Sequence, residues 1–285
     1  MCDETNLDDF AGKGLSRRDF AAAGALAGLA ACTSMESGAG SSGLTESMVQ
    51  VPTADGTMDA FFVHPAKKAP AVILWPDIAG LREVKKAMAR RLAGEGYAVI
   101  VANPYYRDAP APQFADFADF MKQGGFEKVT PWRSKATASA AINRDAKALV
   151  AWLDGQRAVD TKRGIGNQGY CMGGAYTIYS AAAVPARVKA AASFHGGGLA
   201  TDKGDSPHLM LQQGHHYLVA IAQNDDAKQP EAKTILRAAA DKLGANAEIE
   251  VYPADHGWCV PDSPVYNPAE AERAWARLLA LYAKL

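Results

Sequence analysis

Gly169-Tyr170-Cys171-Met172-Gly173-Gly174 lies where a strand-like run ending near Gln168 gives way to a helix-like run reaching Ala183. A turn this abrupt holds its central residue in strained backbone geometry, and side chains at Gly169 and Gly173 would strike neighbouring backbone. The hexapeptide has the G-x-Nu-x-G form of a nucleophile elbow, with cysteine where serine is usual. A thiol there sits at a helix N-terminus, where free amides and the helix dipole favour the thiolate. Such a bend requires a sheet whose strands run directly into helices.

The rest of the chain supplies that alternation from about residue 48 onward. Met48 to Val51 and Ala60 to His64 flank a Thr53-Ala54-Asp55-Gly56 turn and predict an antiparallel hairpin. Ala71 to Trp75, Tyr97 to Val101, Ala190 to Phe194 and Tyr217 to Ile221 are nearly continuous apolar runs, as expected of strands covered on both faces. Ile142, Ala146, Leu149 and Leu153 form one apolar helical stripe, and Ala271, Trp275, Leu278 and Tyr282 another. Residues 109–132 lack sustained periodicity and read as a long loop or short helices over the sheet edge. The expectation is one α/β domain over 48–285, a size that buries a full core.

Several functional classes are disfavoured. The chain carries 30 Lys and Arg against 31 Asp and Glu, with no basic cluster of the kind that nucleic acid requires. Cysteines 2, 32, 171 and 259 have no metal-ligand spacing, so neither a metal site nor a disulfide scaffold is expected. Gly164-Ile165-Gly166-Asn167-Gln168-Gly169 matches G-x-G-x-x-G, but its helix opens too late and no acidic residue follows the next strand for a ribose. No cofactor is expected. His195-Gly196-Gly197-Gly198 looks like an oxyanion loop but follows the bend instead of preceding it, so His195 reads as a pocket-wall residue. His215 and His216 are adjacent, would point apart in a strand, and make a poor chelate.

The N-terminal residues read as an address. Ser16-Arg17-Arg18-Asp19-Phe20 before the small, uncharged run Ala21 to Ala31 resembles a twin-arginine export signal over residues 1–31. Leu29-Ala30-Ala31-Cys32 resembles a lipobox, which makes Cys32 a candidate for lipidation and membrane anchorage. Residues 32–47, rich in Ser and Gly, read as a flexible linker. An exported, periplasmic protein is the expectation.

A thiol nucleophile needs a base and a group that orients the base. After the strand at Tyr217 comes Gln223-Asn224-Asp225-Asp226, which places carboxylates at the carboxyl end of a strand, where sites in open α/β sheets form. After the last strand, Ile249 to Tyr252, comes Asp255-His256-Gly257-Trp258. Nucleophile, acid and histidine then fall in hydrolase order, and spacing alone leaves Asp225 and Asp226 open, one of them a plausible helix cap.

With Gly169 to Gly174 and His256-Gly257-Trp258, the chain from Val49 to its end resembles the dienelactone hydrolase family. The resemblance implies an α/β-hydrolase fold with an eight-stranded, mostly parallel sheet, and a Cys171, His256, Asp triad that opens esters or lactones of small molecules without a cofactor. Because the family's acid usually begins an Asp-x-x-x-Pro stretch, here Asp226 to Pro230, it points to Asp226 over Asp225. It also implies an acidic partner for the resting nucleophile at Asp77, where the founding enzymes have Glu. The oxyanion hole would be the backbone amides of Met172 and Ile78. The arginine that those enzymes place four residues beyond the histidine is Val260 here, so Arg107 and Arg133 become candidates to hold a substrate, with His195 and Trp258 as further pocket residues. The rival expectation is a non-catalytic or redox-responsive exported binding protein, in which Cys171 and Cys259 form a disulfide.

Overall fold

The computed structural model describes residues 43–285, so the signal-like segment and Cys32 lie outside the described residues. An eight-stranded sheet runs in the order β1-β2-β4-β3-β5-β6-β7-β8. The strands are β1 Leu44–Thr53, β2 Gly56–Pro65, β3 Ala71–Trp75, β4 Ala98–Ala102, β5 Ile165–Tyr170, β6 Val188–Phe194, β7 His216–Ala222 and β8 Asn246–Tyr252. The opening hairpin is antiparallel and closes on Thr53 opposite Gly56, as its turn residues predict. It begins at Leu44, so residues 44–47 belong to a strand and not to the linker assigned from composition. β2 also pairs antiparallel with β4, and every pairing beyond β4 in the sheet order is parallel.

Period-two alternation along the buried strands feeds two separate cores. Ile73 and Trp75 enter one, while Val72 and Leu74 enter the other. Helices α1 Glu83–Gly94 and α8 Pro268–Tyr282 cover one face, through Met88, Leu92, Trp275 and Leu278. Helices α4 Ser139–Asp154, α5 Met172–Ala183 and α7 Ala232–Leu243 cover the other, through Leu149, Ile178 and Leu236. Both stripes expected from the sequence are buried. Each fully buried Leu or Ile side chain contributes about 1.5 to 3 kcal/mol.

Residues 109–132 contain two short helical segments, α2 Phe117–Lys122 and the first turns of α3 Gly125–Ala136. Asp116 caps α2 by accepting the amide of Asp119, and Phe120 between the two helices is fully buried. A further short helix, α6 Gln223–Lys228, follows β7 without a loop.

Candidate active site

The bend after β5 has the strain that its sequence demands. Cys171 has φ 52° and ψ −115°, in a region that non-glycine residues rarely occupy. A Cβ on Gly169 would lie 1.9 Å from the Gly173 carbonyl oxygen, and one on Gly173 would lie 2.5 Å from that of Pro76. Both glycines are therefore required by close backbone approach. Cys171 is disulfide-bonded in this structure, and Cys259 is not its partner. Cys259 is a free, buried thiol pushed well up by burial, which corrects the Cys171 to Cys259 switch considered from the sequence.

His256, on the loop after β8, is laced to the start of α6, which carries its carboxylate partner. The Gln223 amide donates to the Ala254 carbonyl, the His256 amide donates to Asn224 Oδ1, and His256 Nδ1 lies 2.6 Å from Asp225 Oδ2. The partner of His256 is thus Asp225 and not Asp226. One residue further along α6 the carboxylate points elsewhere, and both Asp226 oxygens take the Lys233 ammonium at 2.7 and 2.6 Å. His256 Nε2 is buried without a hydrogen-bond partner among the described residues. It lines one chamber together with Cys171, Ile78, Asp77 and His195.

Asp77 is in this chamber, but its carboxylate is occupied. Oδ1 accepts from Arg82 at 2.7 Å and from the Ala79 amide at 3.0 Å, and Oδ2 accepts from Arg82 at 3.1 Å. Lys85 Nζ also lies 2.8 Å from Oδ2, a close ion pair without hydrogen-bond alignment. Burial pushes the Asp77 carboxyl upward, but Arg82 and Lys85 outweigh it and hold the group well below the usual carboxylate range. Arg82 extends this ion cluster to Asp262 at 2.7 Å.

The amides of Met172 and Ile78 donate to no backbone carbonyl among the described residues outside regular elements. Tyr105 fixes both residues: its hydroxyl donates to the Ile78 carbonyl at 2.7 Å and lies 3.5 Å from Met172 Sδ. Sequence reasoning missed Tyr105, because no local pattern marks a tyrosine whose partners are Ile78, on the loop after β3, and Met172, at the start of α5.

The remaining pocket candidates divide. His195, with φ 41°, accepts the Cys171 amide at Nδ1 (3.1 Å) and sets its ring edge to face with His256 at 4.7 Å. Burial, with smaller contributions from His256 and Lys85, holds it well below the ordinary histidine range, so it is neutral. Trp258 is fully buried behind His195, stacked on Tyr252 and outside the chamber. Arg107 is held by Asp55 and Asp145 and lines neither of the two pockets that Cys171 borders. Arg133 lines a second, more polar groove with Lys203, on which Cys171 and Met172 also border. Phe117 and Phe126 line the first chamber with Val260, and neither was expected there. No group of three or more His, Cys, Asp or Glu that could hold a metal occurs among the described residues.

The family described as "Dienelactone hydrolase family" is matched over residues 58–285. A Salmonella typhi protein named as a carboxymethylenebutenolidase is 27% identical over 260 residues, covering 87% of this chain and 88% of the relative. Its namesake from Escherichia coli K12 is 29% identical over 238 residues, covering 80% and 83%. A crystal structure described as a dienelactone hydrolase from Klebsiella pneumoniae superposes with TM-score 0.70 at 26% identity, covering 85% of this chain and 99% of that one.

Proposed function

Since the chain belongs to the dienelactone hydrolase family and is an ester or lactone hydrolase, we propose that it works through Cys171 as nucleophile, His256 as base and Asp225 as the group that orients the base. The observation that carries this reading is the Asp225-paired imidazole of His256, with an unpartnered Nε2, in one chamber with Cys171 at the strained bend.

The chemistry refers to the reduced protein. His256 Nε2 takes the thiol proton, and the sulfur attacks the carbonyl carbon of a small ester or lactone, forming a C–S bond and an oxyanion. Amides of Met172 and Ile78 receive that charge; a donor of this kind is worth about 3 to 4 kcal/mol. Collapse breaks the ester C–O bond, and His256 returns its proton to the leaving alkoxide. A water then gives a proton to His256 and its oxygen to the acyl carbon, releasing the acid and the sulfur. Asp225 holds the Nδ1 proton and stabilises the imidazolium throughout. With thiol reductant present, wild type is expected to hydrolyse aryl esters or lactones, and Cys171→Ala and His256→Ala to lose that turnover. Full activity in Cys171→Ala would overturn the assignment.

The export reading belongs to the same proposal: residues 1–31 direct the chain out of the cytoplasm, and Cys32 carries a lipid. Mass of the exported product tests it, since retention of residues 1–31 contradicts export and an unmodified Cys32 contradicts the anchor.

A further inference from the structure

We infer that the chamber beside Cys171 takes an uncharged, apolar arm of the ester, and that Phe117 and Phe126 set how long that arm can be. The inference rests on Cys171 being the nucleophile, because it assigns the space next to that sulfur. Ile78, Phe117, Phe126 and Val260 give the chamber its apolar wall, and the space between these side chains, part of it open to solvent, is about 460 Å³.

The charged residues lining it, Asp77 and Arg82, leave nothing for a substrate charge to meet. Arg82 directs Nε to Asp262, one terminal nitrogen to Asp77 and the Gly80 carbonyl, and the other to both carboxylates. A substrate carboxylate entering here would be desolvated without a counterion unless it broke that cluster. The two phenylalanines are fixed in place. The Phe117 amide donates to Asp262 Oδ2 at 3.0 Å, so the ion cluster that neutralises the chamber also anchors its aromatic wall. Both rings pack on the buried Phe120, Phe117 stacked at 5.4 Å and Phe126 edge to face at 4.9 Å. The polar groove bearing Arg133 and Lys203, reached from the other side of Cys171, is left for the second arm.

The test uses two series of activated esters with the reduced protein, one lengthening the acyl chain and the other the alcohol chain. In one series kcat/KM is expected to rise by up to about fourfold per methylene until the chamber is full. Replacing the terminal methyl by carboxylate in that series should lower kcat/KM about a hundredfold or more. Phe126→Ala should move the optimum to longer chains, and Phe117→Leu provides a milder variant should the first fail to fold. If neither series depends on length, if the optimum stays fixed in folded variants, or if the carboxylate esters react as fast as the methyl-ended ones, the inference is overturned. These results are read on esters whose hydrolysis Cys171→Ala abolishes, so loss of the nucleophile assignment would show separately, as activity persisting in that variant.

Discussion

His195 Nδ1 accepts the backbone amide of Cys171 at 3.1 Å, so the histidine proton sits on Nε2 and the Cys171 peptide is held by a neutral imidazole. Protonating His195 would set a donor against a donor and place a cation beside His256. The arrangement therefore depends on a histidine that stays uncharged when folded. Its folded pKa lies below the unfolded value of 6.5, so below pH 6.5 the unfolded chain binds a proton that the folded chain refuses. Stability from this group is intact above pH 6.5 and falls with acidification by about 1.4 kcal/mol per pH unit, down to the folded pKa. Urea denaturation of wild type and His195→Asn between pH 7 and pH 5 should show the slope reduced in the variant. Equal slopes would mean that His195 takes up protons alike in both states.

Asp225 and Asp226 are adjacent but face different partners, and their amides should separate cleanly. Asp225→Asn removes the acceptor from His256 Nδ1 and should lower kcat roughly a thousandfold. Asp226→Asn loosens a partly exposed pair with Lys233 and should cost less than about 1 kcal/mol of stability, with kcat little changed. Steady-state kinetics on both variants decides it; the reverse order would restore Asp226.

Tyr105→Phe deletes the bond to the Ile78 carbonyl while keeping the ring in place. Loss of one hydrogen bond of about 1 kcal/mol predicts a fall in kcat of about fivefold with KM nearly constant. A change confined to KM would place Tyr105 in ground-state binding instead.

Arg82 joins the loop after β3 to the segment beyond His256 through Asp77 and Asp262. Arg82→Met leaves buried carboxylate charge short of its partner and should destabilise by about 3 to 5 kcal/mol, as measured by denaturation. Arg82→Lys should recover part of that loss.

The sheet was legible because covered strands must be continuously apolar and Cys171 lies in a motif whose two glycines have steric causes. The helical stripes at Leu149 and Leu278 were equally plain, since 3.6-residue periodicity reports one buried face. What stayed hidden depended on tertiary direction. Choosing between Asp225 and Asp226 requires knowing how α6 is rotated against the His256 loop, and family spacing pointed to the wrong neighbour. Phe117 and Phe126 sit in a stretch without periodicity, both packed on Phe120, with Phe117 tied also to Asp262, 145 positions beyond it. Arg107 looked available only because its partners, Asp55 and Asp145, are distant in the chain.

The central claim is a covalent acyl group on Cys171. Reduced protein quenched in acid during turnover of an activated ester should show, by peptide mass spectrometry, the acyl mass on the peptide containing Cys171, with a larger fraction trapped when Asp225→Asn slows release. Steady turnover with no adduct on that peptide, together with unimpaired turnover by Cys171→Ala, would contradict the account.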